Sequence, residues 1–200
     1  MNKVLIAAAL SATLMAPQAF AQAHNFGGFS VGLNGNVATT STEFGNPSGV
    51  VKFGEGSQNG SLQAAYGFVV GSSAVVGLGA TYALGDMKGG LFSSSGTRFE
   101  LQGKDMYSVY LEPGYALSNS TLIYAKLAYV GIKGEVSGGG STASENFDGV
   151  GYGLGVRAKL DKNLFLQVEF AQTDYNSKDV QGASLKPSAT IGTVGIGYLF

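Results

Sequence analysis

The sequence contains no cysteine, no tryptophan and only one histidine among its 200 residues. Without cysteine the chain can form no disulfide, and a single histidine leaves few of the ligands that zinc and other transition metals prefer. Charged residues are also scarce, at 12% of the chain, against about a quarter in an ordinary soluble domain. A fold with water on every side would be poorly soluble with so few charges.

Basic blocks and long hydrophobic runs are also absent from the sequence. The 12 Lys and Arg are scattered among 13 Asp and Glu, which argues against nucleic acid as a partner. The longest apolar run, Val4 to Met15, is too short to cross a bilayer of about 30 Å as a helix. Lys3 precedes this run and small residues follow it, so we predict a signal peptide over 1–21, with cleavage after Ala21 or alternatively after Ala23. Residues 22–200 would then form one exported domain.

The carboxyl terminus, residues 189–200, shows a strict two-residue alternation. Its last apolar residues fall on one face of an extended strand: Val194, Ile196, Tyr198 and Phe200. Thr193, Gly195 and Gly197 fall on the other face. An apolar outward stripe opposite small inward residues is typical of a strand in a transmembrane β-barrel. Because an open sheet edge in lipid leaves backbone groups unpaired, such strands have to close into a ring.

The same alternation recurs in eight segments of about ten residues each, long enough to cross the hydrocarbon region at a tilt. They are 26–37, 62–71, 75–84, 104–117, 123–129, 148–160, 164–170 and 189–200. Tight turns at 72–73, 118–120 and 161–163 alternate with long connections at 38–60, 86–103, 134–147 and 175–188. We therefore predict an all-β fold: a single eight-stranded antiparallel up-and-down transmembrane β-barrel with three short periplasmic turns and four longer external loops. The Ser- and Gly-rich composition of the long connections predicts mobile tips.

The inward face of these strands carries a small set of charged residues. They are Glu112, Lys126, Arg157, Lys159 and Glu169. Eight strands enclose a space just wide enough for side chains, so we predict that these charges meet in an interior charge network. The network could plug the barrel, gate a small pore or, as a third and weaker alternative, supply catalytic carboxylates. The many inward glycines leave the choice open, since they provide room for water or for close strand approach.

Catalysis has little support in the sequence. The single histidine, His24, lies beside the predicted cleavage site, far from the external rim where an outer-membrane hydrolase would need it. We predict no enzymatic activity, no cofactor and no metal site. Acidic residues in or near the loops could bind a divalent cation or bridge to lipopolysaccharide, but we interpret them as solvated loop charges: Asp86, Glu145, Asp148, Asp174 and Asp179.

The segment from Gly151 to Tyr175 combines a Gly-rich strand, a tight turn and a strand with an inward Glu that ends in Thr-Asp-Tyr. It resembles the small outer-membrane β-barrel family of Gram-negative bacteria, which includes opacity-type surface antigens and the membrane domain of outer membrane protein A. The resemblance implies a porin-family barrel of the cell outer membrane with a structural or adhesin-like role, or alternatively a small passive pore for small or hydrophobic solutes. It further implies contacts with outer-membrane lipids and lipopolysaccharide, a host or surface ligand at the loops, and a monomeric state.

The terminal residues Gly197 to Phe200 resemble the signal that the barrel-assembly machinery reads during biogenesis. Exchange of Phe200 for Asp removes the terminal aromatic and places a charge on the face predicted to meet lipid. We expect a lower folded yield in the outer membrane, measured as the heat-modifiable band on gels of membrane fractions. Normal yield of Phe200→Asp, with Phe200→Tyr as the conservative control, would contradict an assembly role for this residue.

Overall fold

The computed structural model describes residues 22–46, 49–94, 97–138, 140–180 and 183–200. The predicted signal peptide, residues 1–21, lies outside them. A short 3-10 helix, Ala23–Phe26, precedes 11 strands. The strands are β1 (Gly28–Asn46), β2 (Gly49–Phe53), β3 (Gly56–Val69), β4 (Ala74–Leu84), β5 (Met87–Ser94), β6 (Thr97–Ala116), β7 (Thr121–Gly138), β8 (Ser141–Lys159), β9 (Leu164–Tyr175), β10 (Lys178–Val180) and β11 (Ala183–Leu199).

Eight of these strands form a closed antiparallel ring in the order β1-β3-β4-β6-β7-β8-β9-β11. The ring closes where β11 pairs with β1, for example Gly197 with Gly32 and Thr193 with Asn36. The predicted eight-stranded up-and-down barrel is therefore confirmed. Three short strands lie outside the ring, because β2, β5 and β10 each pair with one ring strand only.

The apolar residues of the alternating pattern cover the outside of the barrel. Leu154, Phe170 and Val194 are among the most exposed, and exposed tyrosines such as Tyr82 and Tyr152 form an outer aromatic band toward the long-loop end. The Tyr82 hydroxyl donates to Asp105 at 3.1 Å, and the Tyr152 hydroxyl donates to Asp174 at 3.3 Å. These bonds place the polar tips of the aromatic band at its water-facing edge. No helix in the described part of the chain has the length and apolar character needed to cross a membrane.

The connections differ between the two ends of the barrel as predicted, three being tight and four long. The tight turns join β3 to β4, β6 to β7, and β8 to β9. The long connections are more regular than the sequence suggested, because the ring strands continue into them as hairpins. The stretch 134–147, predicted as a Ser- and Gly-rich loop, is paired from Gly134 with Glu145 as far as Gly138 with Ser141. Small and polar residues can extend a ladder when its neighbour is already in register.

Beyond the ring, the strands separate into two sheets, which we call arm sheet A (β10, β11, β1 and β2) and arm sheet B (β5, β6, β7 and β8). The pairing of β3 with β4 ends at Gly60 and Leu84, and that of β8 with β9 ends at Gly149 and Tyr175. Past these points each sheet is internally paired but no ladder joins A to B among the described residues. Two clefts therefore separate the arm sheets.

The opposite end of the barrel is closed by the 3-10 helix. Its Ala23 and Phe26 are buried against Val75, Leu122 and other apolar residues of the inner wall. The Ala23 amide donates to the Ser72 carbonyl at 3.0 Å, and the Asn25 amide nitrogen Nδ2 donates to the Asn119 carbonyl at 3.1 Å. The amino-terminal segment is thus held across the short-turn end by two of the tight turns.

Because the outer wall faces lipid, we predict that a charged substitution there lowers stability far more than one in a turn. Leu154 has 70% of its surface exposed on the outer wall, so an arginine there should destabilise the folded barrel by about 2–4 kcal/mol. The measurement is urea unfolding of the refolded protein in lipid vesicles, followed by gel mobility. Ser72→Arg, an exposed change in a short turn, serves as the control and should have little effect. Equal losses at the two sites would contradict the assignment of the outer face.

Candidate functional site

Four of the five predicted interior charges lie together in the middle of the barrel, on β6, β7, β8 and β9. Arg157 contacts Glu112, with 2.8 Å between its Nη2 and Oε1. The same nitrogen donates to Gln167 Oε1 at 3.2 Å. Glu112 and Arg157 are 4% and 8% exposed. A buried pair of this kind has to offset a large desolvation cost, so the additional hydrogen bond to Gln167 matters.

A second ion pair lies beside the first. Lys126 Nζ contacts Glu169 Oε2. The Tyr124 hydroxyl donates to the same carboxylate oxygen at 3.2 Å. The two pairs join β6 to β8 and β7 to β9 across the lumen, so opposite charges neutralise each other within one layer. We call these four residues the charge layer.

Aromatic rings cover both cations. Lys126 Nζ lies 4.3 Å from the centroid of the Tyr110 ring. The Arg157 guanidinium carbon lies 4.8 Å from the Phe165 ring centroid and 5.2 Å from that of Tyr124. Within about 6 Å, a cation is attracted to the face of an aromatic ring. The rings therefore stabilise the charges and also fill the space around them.

The inward glycines opposite these rings explain how large side chains enter so narrow a lumen. A Cβ at the glycine would overlap the ring of the adjacent strand in three pairs: Gly79 with Tyr110, Gly155 with Tyr124 and Gly197 with Phe165. The sequence left two uses for inward glycines open, room for water or close approach. At these three positions the room is occupied by an aromatic ring.

A cluster of amides extends the charge layer to β1 and β3. Gln167 Nε2 donates to Gln63 Oε1 at 2.6 Å and to Asn34 Oδ1 at 2.9 Å. Asn34 Nδ2 donates in turn to Gln63 Oε1 at 3.2 Å. Through Gln167 the cluster connects to Arg157. Polar side chains thus link β1 and β3 to β9 and, through Gln167, to the ion pairs.

Sequence reasoning had named neither the amides nor the two tyrosines of this layer. The signal was present in the two-residue period, because Tyr110, Tyr124 and Gln167 each stand two positions before a predicted interior charge. The two-residue period of the strands would therefore have been enough to place these three side chains in the lumen.

Lys159 lies apart from the other four predicted charges. Its Nζ donates to the Asn25 carbonyl at 2.9 Å, at the short-turn end of the barrel. No acidic side chain pairs with it among the described residues. Lys159 points inward as predicted, but it holds the 3-10 helix instead of joining the charge layer.

Apolar layers lie on both sides of the charge layer. Toward the short turns, Phe26, Val75, Leu122 and their neighbours fill the lumen. Toward the arm sheets, a second apolar cluster includes Met87, Val130 and Tyr175. A void of about 80 Å³ reaches from the charge layer toward Met87 and Met106. Such a void has room for a few water molecules but is closed toward the short-turn end by the charge pairs and the 3-10 helix.

The residues predicted as an assembly signal lie on the outer wall of β11 and at the chain end. Val194, Ile196, Tyr198 and Phe200 are all exposed on the lipid-facing side. The Phe200 ring packs edge-on against Tyr198 at 4.9 Å between centroids, and lies 5.8 Å from Phe29. Its amide donates to the Phe29 carbonyl at 2.8 Å, so the last residue completes the seam between β11 and β1. Their reading by the assembly machinery stays a prediction.

The chemistry available in the lumen is that of neutralised charges. Glu112 and Glu169 are both engaged by cations. His24 lies in the 3-10 helix, at the end of the barrel opposite the arm sheets. In the described ranges, no three His, Cys, Asp or Glu residues come close enough to hold a metal ion.

Comparison with protein families identifies the same architecture. The family model described as "Outer membrane protein beta-barrel domain" matches residues 5–200. No functionally curated protein matches the sequence. Solved structures with a similar fold include Ail, the attachment invasion locus protein of Yersinia pestis, at 15% identity and a TM-score of 0.48, covering 87% of this chain and 99% of Ail. Neisserial surface protein A is 14% identical, with a TM-score of 0.47, covering 84% of this chain and 97% of that protein. OprG of Pseudomonas aeruginosa is 13% identical, with a TM-score of 0.46, covering 87% of this chain and 96% of OprG.

The charge layer predicts that a single substitution in an ion pair lowers stability more than the double substitution that removes both partners. Glu112→Ala leaves Arg157 buried without its partner and should cost about 3–5 kcal/mol of stability. Adding Arg157→Ala should recover much of this loss, because the uncompensated charge is removed. Unfolding by urea in lipid vesicles measures both. Lys159→Ala is the control, since it removes a lumen cation that has no anionic partner in the charge layer. Additive losses for Glu112 and Arg157 would contradict the pairing.

Proposed function

The chain belongs to the family of outer-membrane protein β-barrel domains, and from this membership we propose that it is a non-enzymatic surface-interaction protein of adhesin type. Its place is the cell outer membrane, where the short turns face the periplasm and the arm sheets face outward. The fold alone is compatible with several roles, so the proposal depends on what the barrel exposes and on what it encloses.

The arm sheets are the observation that carries the proposal. They extend the ring strands β6, β7 and β8 well past the outer aromatic band, with ladder pairs continuing to Phe99 with Gly138 and Gly138 with Ser141. Within arm sheet B, Lys104 Nζ donates to Glu135 Oε1 at 2.9 Å, and this bond raises the pKa of the Lys104 ammonium. Hydrogen-bonded sheets offer a more defined surface to a partner than mobile loops would.

The filled lumen argues against the alternative, a small passive pore or channel for small or hydrophobic solutes. Passage through the barrel would require the Glu112–Arg157 and Lys126–Glu169 pairs to separate and the 3-10 helix with Phe26 to leave. Each step exposes a buried charge or an apolar surface, which is costly. We therefore assign the interior charges a structural role in the plug.

The same geometry supports a non-enzymatic role. Both interior carboxylates are held by cations, and the histidine lies at the periplasmic end, away from a substrate outside the cell. The partners that follow from the proposal are outer-membrane lipids and lipopolysaccharide around the barrel, the barrel-assembly machinery during biogenesis, and a host or surface ligand at the arm sheets. We propose that the barrel acts as a monomer, because the ring is complete within one chain.

The proposal is tested by shortening one hairpin while keeping its register. Residues 136–143 are replaced by Asn-Gly, so that Glu135 and Ser144, which face each other in the ladder, are joined by a two-residue turn. Bacteria displaying the wild type should adhere to epithelial cells or matrix-coated plates more than cells without the protein. The shortened variant should lose most of this gain, whereas Lys162→Gly, a change in an exposed periplasmic turn, should retain it.

Conductance of the refolded protein in a planar bilayer separates the two functions. A silent wild type, folded by gel mobility, together with arm-dependent adhesion supports the proposal. Reproducible openings that change in Glu112→Ala and Lys126→Ala, with no adhesion above the empty strain, would overturn it in favour of a pore.

A further inference from the structure

A separate cavity lies between the two arm sheets, beyond the outer end of the ring. Its volume is about 250 Å³. Arm sheet A contributes Thr40, Thr42 and the segment 187–189, and arm sheet B contributes residues of β5, β6, β7 and β8. The cavity exists because the ladders stop at Gly60 with Leu84 and at Gly149 with Tyr175, which lets the two sheets diverge.

Apolar side chains dominate the walls of this cavity. Arm sheet B supplies Leu101, Ile132, Val136 and Phe147, and Pro187 faces them from arm sheet A. A largely apolar space of this size is poorly hydrated, since a water molecule there finds few hydrogen-bond partners. Apolar walls with a few polar groups are the usual composition of a site for a small molecule.

Met87, Tyr175 and Ala189 line the cavity where it meets the ring. They belong to the apolar cluster that separates it from the charge layer. The Tyr175 hydroxyl is buried and has no hydrogen-bond partner in the described parts of the chain. A buried hydroxyl without a partner destabilises the structure, so a ligand that accepts a hydrogen bond from it would gain binding energy.

The clefts on either side of the cavity are crossed by weak contacts. At one cleft, Lys88 Nζ lies 3.8 Å from Glu55 Oε1, and the Thr40 hydroxyl donates to the Lys88 carbonyl at 2.9 Å. At the other, Lys178 Nζ lies 2.7 Å from Glu145 Oε1. Ion pairs as exposed as these contribute little to stability. The sheets can therefore separate at a cleft to admit a ligand without disturbing the ring.

We propose that the cavity between the arm sheets binds a small apolar molecule with one hydrogen-bond acceptor, which the Tyr175 hydroxyl engages. A dry cavity of about 150 Å³ accommodates benzene, and by proportion this one accepts about ten non-hydrogen atoms. An aryl ketone has this size and chemistry. The site lies between the arm sheets and not on their outer surface, so its occupancy does not depend on the surface role proposed above.

The test uses the protein folded in lipid nanodiscs and labelled at the methionine methyl groups with carbon-13. Of the four methionines in the sequence, Met1 and Met15 lie in the predicted signal peptide, which leaves Met87 and Met106. Acetophenone is the probe, and α-methylstyrene is its isostere without the acceptor oxygen. We expect a saturable shift of the Met87 methyl signal with both, and tighter binding of acetophenone.

Two substitutions assign the site. Tyr175→Phe should weaken acetophenone binding about three- to tenfold and leave α-methylstyrene unchanged, because it removes only the donor. Val136→Trp should fill the cavity and abolish both saturable shifts, whereas Val109→Trp on the lipid-facing wall should not. All variants are first checked for heat-modifiable gel mobility.

A wild type that is folded but shows no saturable Met87 shift with either probe would overturn the proposal. Undiminished binding in Val136→Trp would do the same, since the probes would then be held elsewhere or only dissolved in the lipid. An equal effect of Tyr175→Phe on both probes would overturn the assignment of an acceptor-bearing ligand.

Discussion

The pairing of every backbone N–H and C=O within the bilayer is the constraint on which the rest of the structure depends. Lipid offers these groups no partner, so a sheet that crosses it has to close. Closure is completed by β11 and β1, whose pairing runs from Ser30 with Leu199 to beyond the outer aromatic band. The terminal Phe200 amide adds a bond to Phe29 at the same seam. Because the backbone groups of the ring are hydrogen-bonded to one another, only side chains remain to determine what the barrel does.

The width of an eight-stranded ring sets the second condition. The lumen is too narrow to remain an open channel once aromatic side chains point inward, yet too wide for small residues alone to fill. Paired charges solve the problem in the middle layer, with aromatic rings lying over glycines to complete the packing. Apolar residues and the 3-10 helix close the layer below. Charge neutralisation and steric filling are thus two aspects of one arrangement.

Outside the bilayer the demand for closure no longer applies, since water satisfies an open edge. The ladders between β3 and β4 and between β8 and β9 end near this boundary. Arm sheets A and B can then diverge, and the space between them acquires apolar walls that neither lipid nor the lumen covers. The external surface and the cavity therefore both exist because the strands no longer have to form a closed ring outside the bilayer.

The sequence by itself determined the ring. The two-residue period predicted the number of strands, the outer face and the inward direction of Glu112, Arg157 and Glu169. It could do so because the alternation is a local property of each strand and only one register places the apolar residues in lipid. Tertiary structure alone decided which inward groups meet, since Tyr110, Tyr124 and Gln167 reach the charges from different strands, and Lys159 is instead drawn to Asn25. It also decided the arm sheets and the cavity, because polar hairpins extend or fray according to neighbours that are distant in the chain.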